Sequence, residues 1–77
     1  MKTPQEFRLE LGFKLRELRE KNNLTRADLS NILKIPFDTI RAVERGLMSP
    51  SLPNLVKYAD FYKVSVDYLL GRWDKKG

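Results

Sequence analysis

The 77-residue chain predicts an all-α domain of five helices. Apolar residues recur every three or four positions from Phe7 to Leu69, and no segment shows the apolar–polar alternation of a half-buried strand. Residues that start helices, Thr3, Thr25, Ser51 and Ser65, stand just ahead of the apolar stretches and divide them.

The first helix is expected from Pro4 to Asn22. Thr3-Pro4-Gln5-Glu6 supplies a cap, a proline in the first turn and a glutamate for a capping box. Phe7, Leu11, Leu15 and Leu18 follow at helical spacing. Glu10–Lys14 and Glu17–Lys21 are favourable opposite-charge pairs four residues apart on the wet side. Leu9 and Phe13 lie off the main stripe, partly exposed or against a partner.

The stretch from Leu24 to Gly46 reads as two short helices joined by a tight turn. Thr25 can accept from an orphan N–H at the helix start, and Asp28 can return the bond. Leu29, Ile32 and Leu33 share one face, and Lys34 and Ile35 fall in the turn. Pro36 opens the next helix, expected over 36–45, because its missing N–H costs nothing there. Ile40 and Val43 give that helix a narrow inner stripe, and Gly46 can end it in the left-handed conformation. At about 100° per residue, Asp38, Arg41, Ala42 and Arg45 cluster on the opposite side, bordered by Phe37 and Thr39. Arg41 and Arg45 stand four apart, a like-charge spacing that costs a few tenths of a kcal/mol. A polyanion against that face reverses the sign.

Leu47-Met48-Ser49-Pro50 forms a loop. Ser51 caps the fourth helix, whose inner face carries Leu52, Leu55, Val56, Ala59 and Tyr62. Pro53 is tolerated because it lies in the first turn. Val64 to Gly71 gives a capped last helix with a glycine stop, and Arg72 to Gly77 is a polar, loosely held tail. The expected core is Leu11, Leu15, Leu18, Leu29, Ile32, Ile40, Val43, Leu52, Leu55, Val56, Ala59, Val66 and Leu69.

A net charge of +5 and a pI near 9.8 fit a nucleic-acid partner, but also ordinary solubility. Residues 25–45 hold Arg26, Lys34, Arg41 and Arg45 against Asp28, Asp38 and Glu44, a sum of only +1. The chain has no long apolar run and no signal-peptide core, so a cytoplasmic protein without a membrane span is expected. With no histidine and no cysteine it has few means to bind metal or activate a nucleophile. Nearly all of its acidic residues sit at caps or in helical ion pairs. Neither an enzyme nor a cofactor is expected.

LTRADLSNILKIPFDTIRAVERG resembles the helix-turn-helix of phage Cro and repressor proteins, the XRE-type family of DNA-binding regulators. LGFKLRELREKNNLT resembles the family's first helix, and SPSLPNLVKYADFYKVSVDYLLG its last two. The likeness covers about Leu11 to Gly71. It implies one domain over 1–77 with a lambda-repressor-like fold of five helices and a helix-turn-helix core at 25–46. It also implies a sequence-specific transcriptional regulator, a repressor, that lays helix 36–45 in the major groove of double-stranded DNA.

Residue by residue, Phe37, Asp38 and Ala42 match the family's base-contacting positions, with Thr39 at their border. Phe37 and Ala42 suit thymine methyls, and Asp38 suits cytosine N4. Arg41 and Arg45 can reach guanine or phosphate. Thr25 and Arg26 would hold phosphate at the start of the second helix. Arg19 and Glu44 match a partly buried ion pair that orients the reading helix. The family commonly binds a palindromic operator as a homodimer through its C-terminal end, where this chain offers Tyr68, Leu70 and Trp73, with Phe61 and Phe13 as further candidates. No small-molecule effector domain is expected.

The sequence departs from the family in five places. Arg26 stands where glutamine usually contacts phosphate and braces the reading helix; arginine still reaches phosphate, and the bracing is left open. Lys34 and Lys63 replace glycines at left-handed positions, at about 1 kcal/mol each. Leu47 and Met48 stand where lysine or arginine often meets phosphate, and Pro36 where serine or threonine caps. A second function is compatible with these residues: a protein-interaction module on the same scaffold, without specific DNA binding.

Overall fold

The computed structural model describes residues 2–72. Among them lie five helices and no strand: α1 (Pro4–Lys21), α2 (Arg26–Leu33), α3 (Phe37–Glu44), α4 (Leu52–Tyr62) and α5 (Val66–Leu69). Trp73 and the rest of the expected tail fall outside the described residues. Arg72 is described, and its side chain reaches the Asp67 carboxylate at 3.7 Å.

Four helices start on a hydroxyl. Thr3 and Thr25 each close a full capping box, with Glu6 and Asp28 respectively. Ser51 accepts from the Asn54 amide at 3.2 Å and Ser65 from the Tyr68 amide at 2.9 Å. The exception is α3. Pro36 is its flanking residue rather than its first helical one, with ψ at 141° and no side-chain bond to offer. Its carbonyl takes the first helical bonds, from Thr39 and Ile40 at 3.0 and 3.1 Å. At the far end Arg45 is the cap, so the reading helix spans 37–44 instead of 36–45. Asn22 likewise caps α1 instead of belonging to it.

Two helices end on left-handed lysines, Lys34 at φ 59° and Lys63 at φ 56°, where the chain must reverse without glycine. Ser30 Oγ donates to the Ile35 carbonyl at 2.6 Å and fixes the α2–α3 turn. That turn drives Ile35 into the core, 2% exposed.

The core gathers Leu11, Leu15, Leu29, Leu33, Ile35, Ile40, Val43, Leu55, Tyr58, Ala59 and Leu69, with Leu18 and Val66 half-buried against it. Three expected core residues are exposed: Ile32, Leu52 and Val56. On α2, Leu33 takes the inward place and leaves Ile32 on the flank. On α4, the inward row runs Leu55, Tyr58, Ala59, which puts Leu52 and Val56 on the side. The bulk of Tyr58 fills the space, 1% exposed.

On α1, Glu10 pairs with Lys2 at 3.4 Å rather than with Lys14. Lys14 instead donates to the Tyr68 carbonyl at 3.1 Å and lies 5.4 Å from the Tyr68 ring centroid, tying α1 to α5. Phe61, Tyr68 and Leu70 pack half-buried against this core, whereas Phe13 is 63% exposed. No helix of the described residues is long and apolar enough to cross a membrane.

Candidate nucleic-acid interface

The position of α3 is set from behind. Ile40 and Val43 are its apolar anchors, at 0% and 1% exposure. Gly12 of α1 then allows a backbone approach that no other residue permits. A Cβ there would stand 2.5 Å from the Val43 carbonyl oxygen and 2.7 Å from that of Glu44. Beyond the helix, Gly46 turns the chain at φ 76°, and Leu9 occupies the space a side chain would need. The Leu47 amide donates to the Ala42 carbonyl at 2.9 Å and closes the helix end.

A buried charge cluster supplies the second restraint. The Glu44 side chain has no solvent exposure. Arg19 grips it with two parallel bonds, Nε to Oε2 at 2.8 Å and Nη2 to Oε1 at 2.9 Å. Arg19 Nη1 donates to the Leu24 carbonyl at 2.9 Å, so the same guanidinium holds the loop before α2. Its hydrogen bonds to Glu44 raise the Arg19 pKa despite the opposing effect of burial. Arg26 adds a third bond, Nε to Glu44 Oε1 at 3.0 Å. The bracing between α2 and α3 left open by the sequence is therefore made here, by an arginine.

The front of α3 is open. Phe37, Asp38, Arg41 and Arg45 are exposed, and Thr39 and Ala42 are half-buried at the margin. Asp38, Arg41, Ala42 and Arg45 line one shallow concavity together with Leu47, 62% exposed, from the loop that follows the helix. Neither Arg41 nor Arg45 has an ion-pair partner among the described residues. Phe37 is 44% exposed at the leading end of the helix.

Thr25 and Arg26 stand apart from this concavity, at the start of α2. Thr25 is exposed, but its hydroxyl accepts from the Asp28 amide at 3.0 Å. Bonds from Thr25, the backbone one first, hold the Asp28 carboxyl below its ordinary pKa. The described residues contain no cluster of metal-ligating side chains.

The geometry explains how a segment with a sum of only +1 offers a basic face. One of its three acids, Glu44, is inside and neutralised, and a second, Asp28, is occupied with the cap of α2. Asp38 is the acid that remains beside Arg41 and Arg45 on the open face of α3.

Comparison with known proteins agrees with this architecture. The sequence profile of the helix-turn-helix family matches residues 15–69. The chain is 34% identical over 64 residues to the HTH-type transcriptional regulator ImmR of Bacillus subtilis, an alignment covering 83% of this chain and 50% of that protein. It is 35% identical over 60 residues to the cryptic phage CTXphi transcriptional repressor RstR of Vibrio cholerae, covering 78% and 54%. An uncharacterised HTH-type transcriptional regulator of Methanocaldococcus jannaschii is 39% identical over 54 residues, covering 70% and 82%. The alignments thus span about half the length of the first two relatives. A helix-turn-helix made of α2 and α3, braced by α1 and matched over most of its length by that profile and these regulators, places the chain in the XRE-type, Cro and repressor family of helix-turn-helix proteins.

Proposed function

We propose that the protein is a sequence-specific DNA-binding transcriptional regulator, a repressor, that lays α3 in the major groove. The observation that carries this is the pair of arginines without ion-pair partners among the described residues, Arg41 and Arg45, on an open helix face where Glu44 is buried and neutralised and Asp38 is the one exposed acid of the helix. A buried acid and exposed cations on one short helix make a surface shaped for a polyanion. The small Ala42 between them lets that surface come close to base edges.

In this reading Phe37, Asp38, Thr39 and Ala42 face the bases. Arg41 and Arg45 reach guanine or phosphate, and Thr25 and Arg26 meet the backbone at the start of α2. The Arg19–Glu44 pair orients α3 and does not touch DNA. The names of the relatives support the regulatory role, since ImmR and RstR are called a regulator and a repressor. The protein acts in the cytoplasm, without catalysis.

The protein works as a homodimer on a two-fold site. One eight-residue reading helix covers only a few base pairs, too little to single out a genomic site. Phe61, Tyr68 and Leu70 are largely occupied by their own core, so pairing through the C-terminal end rests on their remaining exposed edges.

Selection of bound sequences from random duplex DNA tests the proposal. A palindromic consensus with half-sites about one helical turn apart is expected. Recovery of no consensus, with affinity insensitive to salt, would favour the protein-interaction module, for which the exposed Phe37, Leu47 and Met48 give the main support.

A further inference from the structure

The two arginines on Glu44 are not equivalent. Arg19 offers its carboxylate-facing edge in full and is nearly buried, with 10% of its side chain exposed. Arg26 touches the same carboxylate through Nε alone, and 26% of its side chain is exposed. A guanidinium held at Nε has its plane fixed, yet its terminal nitrogens stay available. Among the described residues, those of Arg26 make no hydrogen bond.

The charges also leave Arg26 available. Two guanidiniums against one carboxylate sum to +1, and the bidentate Arg19 pair already neutralises Glu44. The bond to Arg26 therefore orients that side chain without cancelling its charge.

We propose that Glu44 is a positioning residue for a DNA-backbone contact: it grips Arg26 at Nε and so holds Nη1 and Nη2 ready for the oxygens of one phosphate. The inference rests on the DNA-binding reading above and extends it to a buried residue that never meets DNA. The fork geometry of a guanidinium matches phosphate in a bidentate manner. The rotamer freedom that an exposed arginine loses on meeting phosphate is already lost to Glu44. Because Glu44 belongs to α3, the phosphate held by Arg26 on α2 is locked in register with the reading helix. Lysine has three donors on one nitrogen but no planar fork, so it cannot hold a bidentate edge toward phosphate while bonded to Glu44.

The test titrates a fluorescein-labelled random-sequence duplex with the full chain over a salt series. Arg26→Gln should lower the log–log salt slope by about 1. Arg26→Lys should keep the slope but weaken binding severalfold. Glu44→Gln adds one unit to the net charge, which by simple electrostatics would tighten binding; it should weaken it instead. The decisive comparison is Glu44→Gln in the Arg26→Gln background, where its effect on affinity should be severalfold smaller, what remains coming from the Arg19–Glu44 pair that orients α3. An equal loss in both backgrounds means that Glu44 acts only through the placement of α3, and overturns the proposal.

Should Glu44→Gln not fold, nitrogen-15 NMR of the wild-type arginine side chains decides. The Arg26 Nε–H should stay protected when duplex is added while its terminal nitrogens shift. Release of Nε–H on binding overturns the proposal. Wild-type protein that binds no duplex at all removes the DNA-binding reading itself, whereas wild-type binding with an unchanged Arg26→Gln slope removes only this inference.

Discussion

A carboxylate with no solvent exposure must meet cations or give up its charge, and Glu44 meets two. Removing the bidentate partner strands much of that charge. Arg19→Ala should therefore destabilise the domain by about 3 kcal/mol, a fall in Tm of roughly 10–20 °C. Arg16→Ala breaks only the exposed pair with Glu20 at 3.1 Å and should stay within about 0.5 kcal/mol. Thermal melts of the two variants side by side check the difference. Two buried tyrosine hydroxyls give a second test at this scale. Neither the Tyr58 nor the Tyr62 hydroxyl has a hydrogen-bond partner among the described residues. Burial first, and the nearby Glu44 charge second, push the Tyr62 pKa up to about 12, and Tyr58 moves the same way. In the unfolded chain both titrate near 10. Between about pH 10 and 12 the folded state thus holds more protons than the unfolded one. Their share of stability is complete below about pH 10 and is lost as pH rises through the folded values. Denaturant titrations should show a smaller alkaline loss for a Tyr58→Phe, Tyr62→Phe double variant than for wild type.

At the scale of elements, helix ends and helix crossings carry the strain. Lys63 holds a left-handed φ of 56° without glycine's freedom. Lys63→Gly should stabilise by roughly 0.5–1 kcal/mol, the relief of strain exceeding glycine's entropic cost, as a denaturation midpoint would show. Gly12→Ala should do the reverse. Alanine is the better helix former by about 1 kcal/mol, but its methyl would press on the backbone oxygens of Val43 and Glu44, which cannot swing aside. A net loss of about 2 kcal/mol is expected, together with weakened DNA binding, because the displaced helix is α3.

At the scale of the whole fold, the described residues extend 33 × 25 × 21 Å, a long axis close to one turn of DNA, ~34 Å. In the proposed complex, Arg41→Ala and Arg45→Ala should each lower the salt slope by about 1 where the side chain meets phosphate. Where it meets guanine instead, the loss is about 1–3 kcal/mol at one base position. Binding isotherms across a salt series, read against the selected consensus, separate the two. A footprint covering a single half-site would rule out the two-fold arrangement.

Much of this was legible in the sequence because it depends on neighbours along the chain. Capping residues, helical spacing and the turn between α2 and α3 act over a few residues, so Thr3, Thr25, Ser51 and Ser65 mark their helices correctly. The left-handed positions of Lys34 and Lys63 were visible because a family glycine was missing there. What the sequence left open concerns contacts between distant segments. Apolar spacing admits Ile32, Leu52 and Val56 to the core as readily as Leu33 and Tyr58; only the angle at which the helices meet chooses between them. Nothing local to Gly12 reveals that the backbone of α3 lies against it. The bond from Arg26 to Glu44 joins residues 18 apart in the chain. The sequence by itself determined the order of the five helices, the capping residues of four of them and which helix presents its arginines. The tertiary structure decided which acid is silenced, and so what charge that helix shows to a partner, because burial is a property of the packed whole.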